Sequence, residues 1–326
     1  MPSADQLKAL LRSHLEGDDA QFLSVAMQVA AHEARQGHGK LAGELRDLID
    51  RAKARSRAGT SALPVPLVRP KGEMADLFSA VYPKQRLVDM VLASETARRL
   101  KRLVTEHARV QTLRAHGLAP RKKLLLVGPP GSGKTLTASV LAGELGLPLF
   151  VVRLDNLMTK FMGETAAKLR LIFDAIRDVR GVYLFDEFDS IGSSRGLDND
   201  VGEIRRILNS FLQLIEQDDS DSLLVAATNH VDLLDHALFR RFDDVIEYHL
   251  PTADEAIILL KAKLATVKLG RIHWTELGQE TEGLSHGDLT RACEEATKEM
   301  LIQDDNRLTH TTLKNAIKER RAFYQR

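Results

Sequence analysis

Gly128-Pro129-Pro130-Gly131-Ser132-Gly133-Lys134-Thr135, directly after the apolar run Leu124-Leu125-Leu126-Val127, decides how the rest of the chain is read. The octad fits G-x-x-x-x-G-K-[ST], a loop whose successive backbone N–H groups converge on one phosphate chain. Its glycines let the backbone wrap that closely. Gly128, Pro130, Gly131, Ser132 and Gly133 are therefore expected to line the phosphates, with Leu136 just behind them. Lys134 adds a point charge at the β- and γ-phosphates, and the Thr135 hydroxyl is a Mg²⁺ ligand. The apolar run reads as a buried strand. Thr135–Leu145, closed by Gly146, reads as a helix whose N-terminus faces the anion. A bare Gly-Pro turn would need none of this context; a nucleoside triphosphate site needs all of it.

Acidic and amide residues fall where such a site would use them. The apolar stretch Val182–Phe185 ends in Asp186-Glu187, and carboxylates at the C-terminal end of a strand face the ligand crevice of an open α/β sheet. Asp186 suits Mg²⁺ binding, and Glu187 suits polarising an attacking water. Without the loop before them, the same two acids would read as a solvated strand end. Leu223–Ala227 is followed by Thr228-Asn229, where the Asn229 amide could orient that water. The alternative is that both residues only cap the next turn. Arg240 and Arg241 stand together beside Phe239 and Phe242. Guanidinium groups stay charged and suit phosphate recognition, whereas a surface ion pair is the plainer role.

Apolar runs Leu124–Val127, Phe150–Val152, Val182–Phe185, Leu223–Ala227 and Val245–Tyr248 alternate with helical stretches. That order implies a parallel sheet with helices on both faces. From Pro251 to Arg326 the pattern is helical throughout and predicts a smaller all-α lid. Ser94–His116 reads as one long helix ahead of the loop. The fold class expected is α/β with that lid and a small N-terminal helical bundle. Apolar stripes at Leu7, Leu10 and Leu11, at Phe22, Val25 and Val29, and at Leu41, Leu45 and Leu48 are each too short to stand alone. They predict the bundle over 1–55, either a docking module or a simple stabilising or oligomer contact. Pro64, Pro66 and Pro70 without periodicity make 56–82 a linker, 83–250 the α/β part and 251–326 the lid.

Composition narrows the function less. The 326 residues are 44% hydrophobic and 28% charged, with net charge +1, which offers no general attraction to nucleic acid or a membrane surface. Cys293 is the single cysteine, so no intramolecular disulfide forms; a small core residue is the expected role. No apolar run approaches the roughly 18 residues of a membrane span, and acids among the first twenty residues exclude a signal peptide there. A cytoplasmic protein without membrane partners is expected. His32-Glu33 with His38 is not H-E-x-x-H, so no zinc peptidase is read here.

From about Leu87 to Arg326 these residues together resemble an AAA+ ATPase, in the AAA clade that includes spastin and katanin. Gly128–Thr135 resembles Walker A, Leu184–Glu187 Walker B, Thr228-Asn229 sensor 1, and Ala237–Asp243 the arginine-finger segment. Gly283-Leu-Ser-His-Gly287-Asp288-Leu resembles the lid motif G-x-S-x-x-D, with the small Gly287 where other clades hold an arginine. Lys160-Phe161-Met162-Gly163-Glu164 resembles a pore loop of aromatic, hydrophobic residue and glycine. The resemblance implies ATP and Mg²⁺ as cofactors and a homo-oligomeric, hexameric ring. Arg240 and Arg241 would then reach a neighbour's nucleotide, and Met90 and Val91 would hold adenine. It further implies a polypeptide client gripped by Phe161 and selected through the bundle. Phe161 and Met162 could instead pack within the ring. A nucleotide-switched scaffold and a nucleic-acid motor are the alternatives; the second would need a basic pore, and none stands out.

Overall fold

The computed structural model describes residues 25–27, 29–30, 43, 47, 76–154, 156, 162–187, 201–230 and 239–323. The chain divides into two compact units, Met1–Pro66 and Leu67–Arg326. In the first, the described residues are helical, with Val29 and Ala30 buried. The expected bundle over 1–55 otherwise lies outside the described residues, as does most of the expected linker.

The second unit is built on a six-stranded sheet. Its strands are β1 (Phe78–Val81), β2 (Lys123–Val127), β3 (Leu149–Val152), β4 (Val182–Phe185), β5 (Leu223–Thr228) and β6 (Asp244–Glu247), in the order β1-β3-β4-β5-β2-β6. Neighbours pair in parallel except β1, which runs antiparallel to β3 with Phe78 opposite Val152. This antiparallel edge strand adds to the expected parallel sheet, and it lies within the stretch that the sequence reading gave to the linker. Phe78-Ser-Ala-Val81 is short and only Phe78 is buried, so neither alternation nor an apolar run marks it. The central strands β4 and β5 are buried at every position, as a sheet covered on both faces requires.

Helices α1 (Ser94–Ala108), α2 (Val110–Ala115), α3 (Lys134–Leu145), α4 (Met162–Asp178) and α5 (Val201–Gln217) accompany the sheet. One face, including Leu125, Val127, Tyr183 and Phe185, packs with Ile172 and Phe173 of α4 and Phe211 and Ile215 of α5. The other, including Leu124, Leu126, Leu184 and Val225, packs with Leu100 and Leu103 of α1 and Leu141 of α3. The single helix expected over Ser94–His116 is broken at Arg109, whose φ of −109° and ψ of 25° leave the helical well. The C-terminal all-α part consists of α6 (Ala253–Lys263), α7 (Trp274–Glu280), α8 (His286–Ile302) and α9 (His310–Ala322) around a core of its own. Thr252 and Glu255 cap the start of α6 reciprocally. Cys293 is buried in that core, and burial pushes its thiol up to about 12, so it remains an inert packing residue. No helix among the described residues is long and apolar enough to cross a membrane.

Candidate active site

The loop between β2 and α3 is held from below by the residue that follows β6. Tyr248 N donates to Val127 O at 2.7 Å. Gly128 has φ 145°, and a Cβ there would overlap the Tyr248 carbonyl oxygen and lie 2.9 Å from its Cβ. Only glycine fits that backbone and that gap. The Tyr248 hydroxyl lies 2.5 Å from Thr137 Oγ1, which donates to Gly133 O at 3.0 Å. Burial pushes the Tyr248 phenol up to about 12, so it keeps the proton it donates along this chain. A buried tyrosine thus sets the floor and the exit of the loop.

Gly133 enters α3 with φ 104°, and Gly146 ends the helix with φ 64°. The first N–H groups of a helix lack partners within it and point outward from its start. Ser132 is only 2% exposed and its hydroxyl has no hydrogen-bond partner. A buried hydroxyl left unpaired inside a glycine cradle is what a bound phosphate would complete. Lys134 Nζ donates to Gly128 O at 2.9 Å and to Pro129 O at 2.8 Å, so its charge is folded over the loop. Thr135 Oγ1 donates to Asp186 Oδ2 at 2.6 Å, joining the loop to the end of β4. Hydroxyl and carboxylate together offer the hard oxygen donors that Mg²⁺ takes. The residues present therefore fit a Mg²⁺–triphosphate.

Glu187 follows with φ 49°, a left-handed backbone rare for a residue with a side chain, and its N–H donates to Asp186 Oδ1 at 3.0 Å. Asp186, Glu187 and Asn229 line one cleft with the loop. Thr228 takes the capping role, its hydroxyl accepting from His230 N at 3.0 Å, which leaves Asn229 as the residue at the cleft.

The roof of the cleft comes from the helical part. Ser285 and Asp288 cap α8 reciprocally: Asp288 N donates to Ser285 Oγ at 3.2 Å and Ser285 N to Asp288 Oδ2 at 3.0 Å. The lid motif is thus a capping box. Gly287 N then donates to Gly131 O at 2.9 Å, and a Cβ on Gly131 would overlap Ser285 Oγ. Loop and lid touch backbone to backbone around a cleft of about 540 Å³. Pro130 to Leu136, Met90, Val91 and Gly287 line it, whereas Gly128, also expected at the phosphates, is not among the lining residues.

Arg240 and Arg241 are not brought to this cleft. Arg240 is exposed, and Arg241 pairs with Glu216 Oε2 at 2.6 Å near the end of α5. Phe161 lies outside the described residues; Met162 and Gly163 begin α4. The sequence reading missed Leu259, Lys263, His286, Thr290, Arg291 and Glu294, which also line the cleft. A signal was available. Leu259 and Lys263 are four apart on α6, and His286, Thr290 and Glu294 repeat every four along α8.

Residues 124–250 match the family model described as "ATPase family associated with various cellular activities (AAA)". An uncharacterized AAA family ATPase of Sinorhizobium fredii is 35% identical over 319 residues, covering 98% of this chain and 96% of that one. A katanin p60 ATPase-containing protein of Rattus norvegicus is 35% identical over 211 residues, 61% of this chain and 43% of its own. A proteasome-activating nucleotidase of Methanoregula boonei is 33% identical over 212 residues, 62% of this chain and 48% of its own. This chain therefore spans under half the length of the last two relatives. The crystal structure of the FIGL-1 AAA domain superposes with a TM-score of 0.60 at 24% identity, covering 74% of this chain and 85% of that one. That likeness bears on the fold.

Proposed function

This chain belongs to the AAA family of ATPases, and from that membership we propose that it is a ring-forming motor that uses ATP hydrolysis to pull on a polypeptide client. Hydrolysis of ATP and a remodelling role in general come with the family. The ring, the client and the residues that grip it are our reading.

In that reading Glu187 takes the proton of the attacking water and Asn229 aligns it. Lys134 leaves the carbonyls of Gly128 and Pro129 for the phosphates. Thr135 and Asp186, now joined by a 2.6 Å hydrogen bond, would hold Mg²⁺. Bound there, Mg²⁺ would supply charge neutralisation at the phosphate oxygens. Arg240 and Arg241, exposed or lightly paired on one chain, act on the nucleotide of the next protomer in a hexamer. Such an arginine is worth about 10³–10⁵ in rate. That neither arginine lines the cleft of its own chain supports this reading.

The observation that carries the mechanical reading is the hydrogen bond from Gly287 N to Gly131 O. It makes the nucleotide loop the joint between the sheet and the helical lid, so occupancy of the cleft changes the angle between two rigid bodies. A ring converts such changes into movement of Phe161, Met162 and Gly163, the proposed pore loop. The bundle over 1–55 would present the client. The test is Phe161→Ala assayed for unfolding of a tagged fluorescent protein. We expect ATP turnover to persist while unfolding is lost; unfolding at the native rate would contradict the threading role.

A further inference from the structure

Arg240 and Arg241 stand just ahead of an edge strand. β6 is four residues long and pairs with β2 alone. Backbone paired on one side only opens more readily than the centre of a sheet. The residues that follow the arginines counter this. Phe242 is buried in the core on one face of the sheet, and its N–H donates to Phe239 O at 3.4 Å. Asp243 and Asp244 then make two separate anchors.

Asp243 holds backbone. Its Oδ2 accepts from Lys122 N at 2.8 Å and from Lys123 N at 3.0 Å, and its own N–H donates to Lys123 O at 2.8 Å. Asp244 holds charge. Its side chain is 9% exposed, with Arg99 donating to Oδ1 and Arg121 Nη1 donating to Oδ2 at 2.7 Å. Arg121 is fixed in turn by Glu106, whose Oε1 accepts from Nη2 at 3.0 Å and Oε2 from the backbone N–H at 3.2 Å. Hydrogen bonds between ionised groups are the strong ones. The start of β6 is thereby tied to α1 and to the segment entering β2.

The far end of the strand is held by other means. Ile246 is buried, Glu247 pairs with Val127, and Tyr248 N donates to Val127 O at 2.7 Å. The two aspartates therefore act on the end that carries the arginines. Neither arginine lines the cleft of its own chain. A side chain that must meet a phosphate on another protomer gains no placement from its own site, so its backbone has to be set in advance.

We propose that Asp243 and Asp244 are positioning residues for Arg240 and Arg241, holding the arginine turn at the angle from which it meets the nucleotide of the next protomer. They touch no reacting atom and take no part in the cleft of their own chain. The inference rests on the reading in which the arginine pair serves a neighbour's nucleotide, and it names what that pair depends on. Loosening either anchor leaves both arginines present but misplaced. Since a placed arginine is worth about 10³–10⁵ in rate, misplacement is costly.

The experiment mixes full-length chains in pairs and follows ATP turnover. Asp243→Asn and Asp244→Asn retain Glu187, so each supplies a working cleft and lacks only placed arginines. Mixed with Glu187→Gln, whose arginines are native, each should recover turnover to within about twofold of what Arg240→Ala/Arg241→Ala recovers with that partner. Mixed with Arg240→Ala/Arg241→Ala, each should give at least about tenfold less turnover than Glu187→Gln gives with it. ADP affinity with Mg²⁺ should match that of the native chain. Asp244→Glu, which keeps the charge, should restore part of the lost arginine supply. Should an asparagine variant fail to fold, Arg99→Gln removes one guanidinium from Asp244 and should show the same one-way loss at smaller size. Equal recovery in both mixtures would overturn the proposal. Recovery in neither, or weakened ADP binding, would place the defect in the variants' own cleft and overturn it as well. No turnover from Glu187→Gln with Arg240→Ala/Arg241→Ala, although the two co-assemble, is a distinct failure: it would remove the shared site itself, and this proposal with it.

Discussion

Gly128 and Glu187 carry opposite kinds of backbone constraint. At Gly128 the left-handed φ of 145° coincides with contact against Tyr248, so Gly128→Ala must both strain the backbone and displace β6. We expect it to abolish ADP binding and to lower stability by roughly 1–3 kcal/mol, read by calorimetric titration and chemical denaturation. Glu187, at φ 49°, holds a side chain where glycine would rest more easily. Glu187→Gly should therefore be more stable than Glu187→Ala by about 1 kcal/mol in denaturant midpoints, while both lose at least about 10²-fold in ATP turnover. Equal stability of the two would remove the strain. The phosphate loop and its acids were legible because their chemistry is contiguous along the chain. Tyr248, Lys263 and His286 were not, because only the fold carries them to residues more than a hundred positions away.

The strands of the sheet centre were legible as apolar runs because they are buried on both faces. β1 was not, since an antiparallel edge strand of FSAV needs only one buried side chain. The break at Arg109 was equally hidden, as α1 and α2 continue one helical pattern across it. α1 has an element-scale consequence. His107 Nε2 lies 2.7 Å from Arg121 O and must donate to it, fastening α1 to the segment entering β2. Burial holds its pKa below 6.5 despite that hydrogen bond. The unfolded chain therefore binds a proton that the folded one refuses, and stability falls as pH drops below about 6.5 toward the folded pKa. His107→Gln keeps a donor for Arg121 O and removes the titration. Denaturant midpoints followed from pH 7 to pH 5 should fall less for His107→Gln than for the native chain; parallel curves would contradict the assignment.

At the scale of the molecule, the hydrogen bond from Gly287 N to Gly131 O and the packing of Val91 link the α/β part to a lid with a separate core. The division into α/β and helical parts was legible from the switch in pattern at Pro251. Their contact was not, because the Gly287–Gly131 hydrogen bond is made by backbone atoms, and Val91, packed against the lid core, lies far from it in sequence. The arginine pair shows the same limit: its residue type pointed to phosphate, but its own cleft does not receive it. Catalysis in the proposed ring therefore depends on active sites shared between neighbouring protomers. The direct measurement mixes Glu187→Gln with Arg240→Ala/Arg241→Ala, each inactive as a homo-oligomer, and follows ATP turnover against the mixing ratio. Shared sites predict that activity reappears in the mixture and peaks near equal amounts, since an intact cleft then meets intact arginines from its neighbour. No turnover at any ratio, although the two chains co-assemble, would contradict the claim.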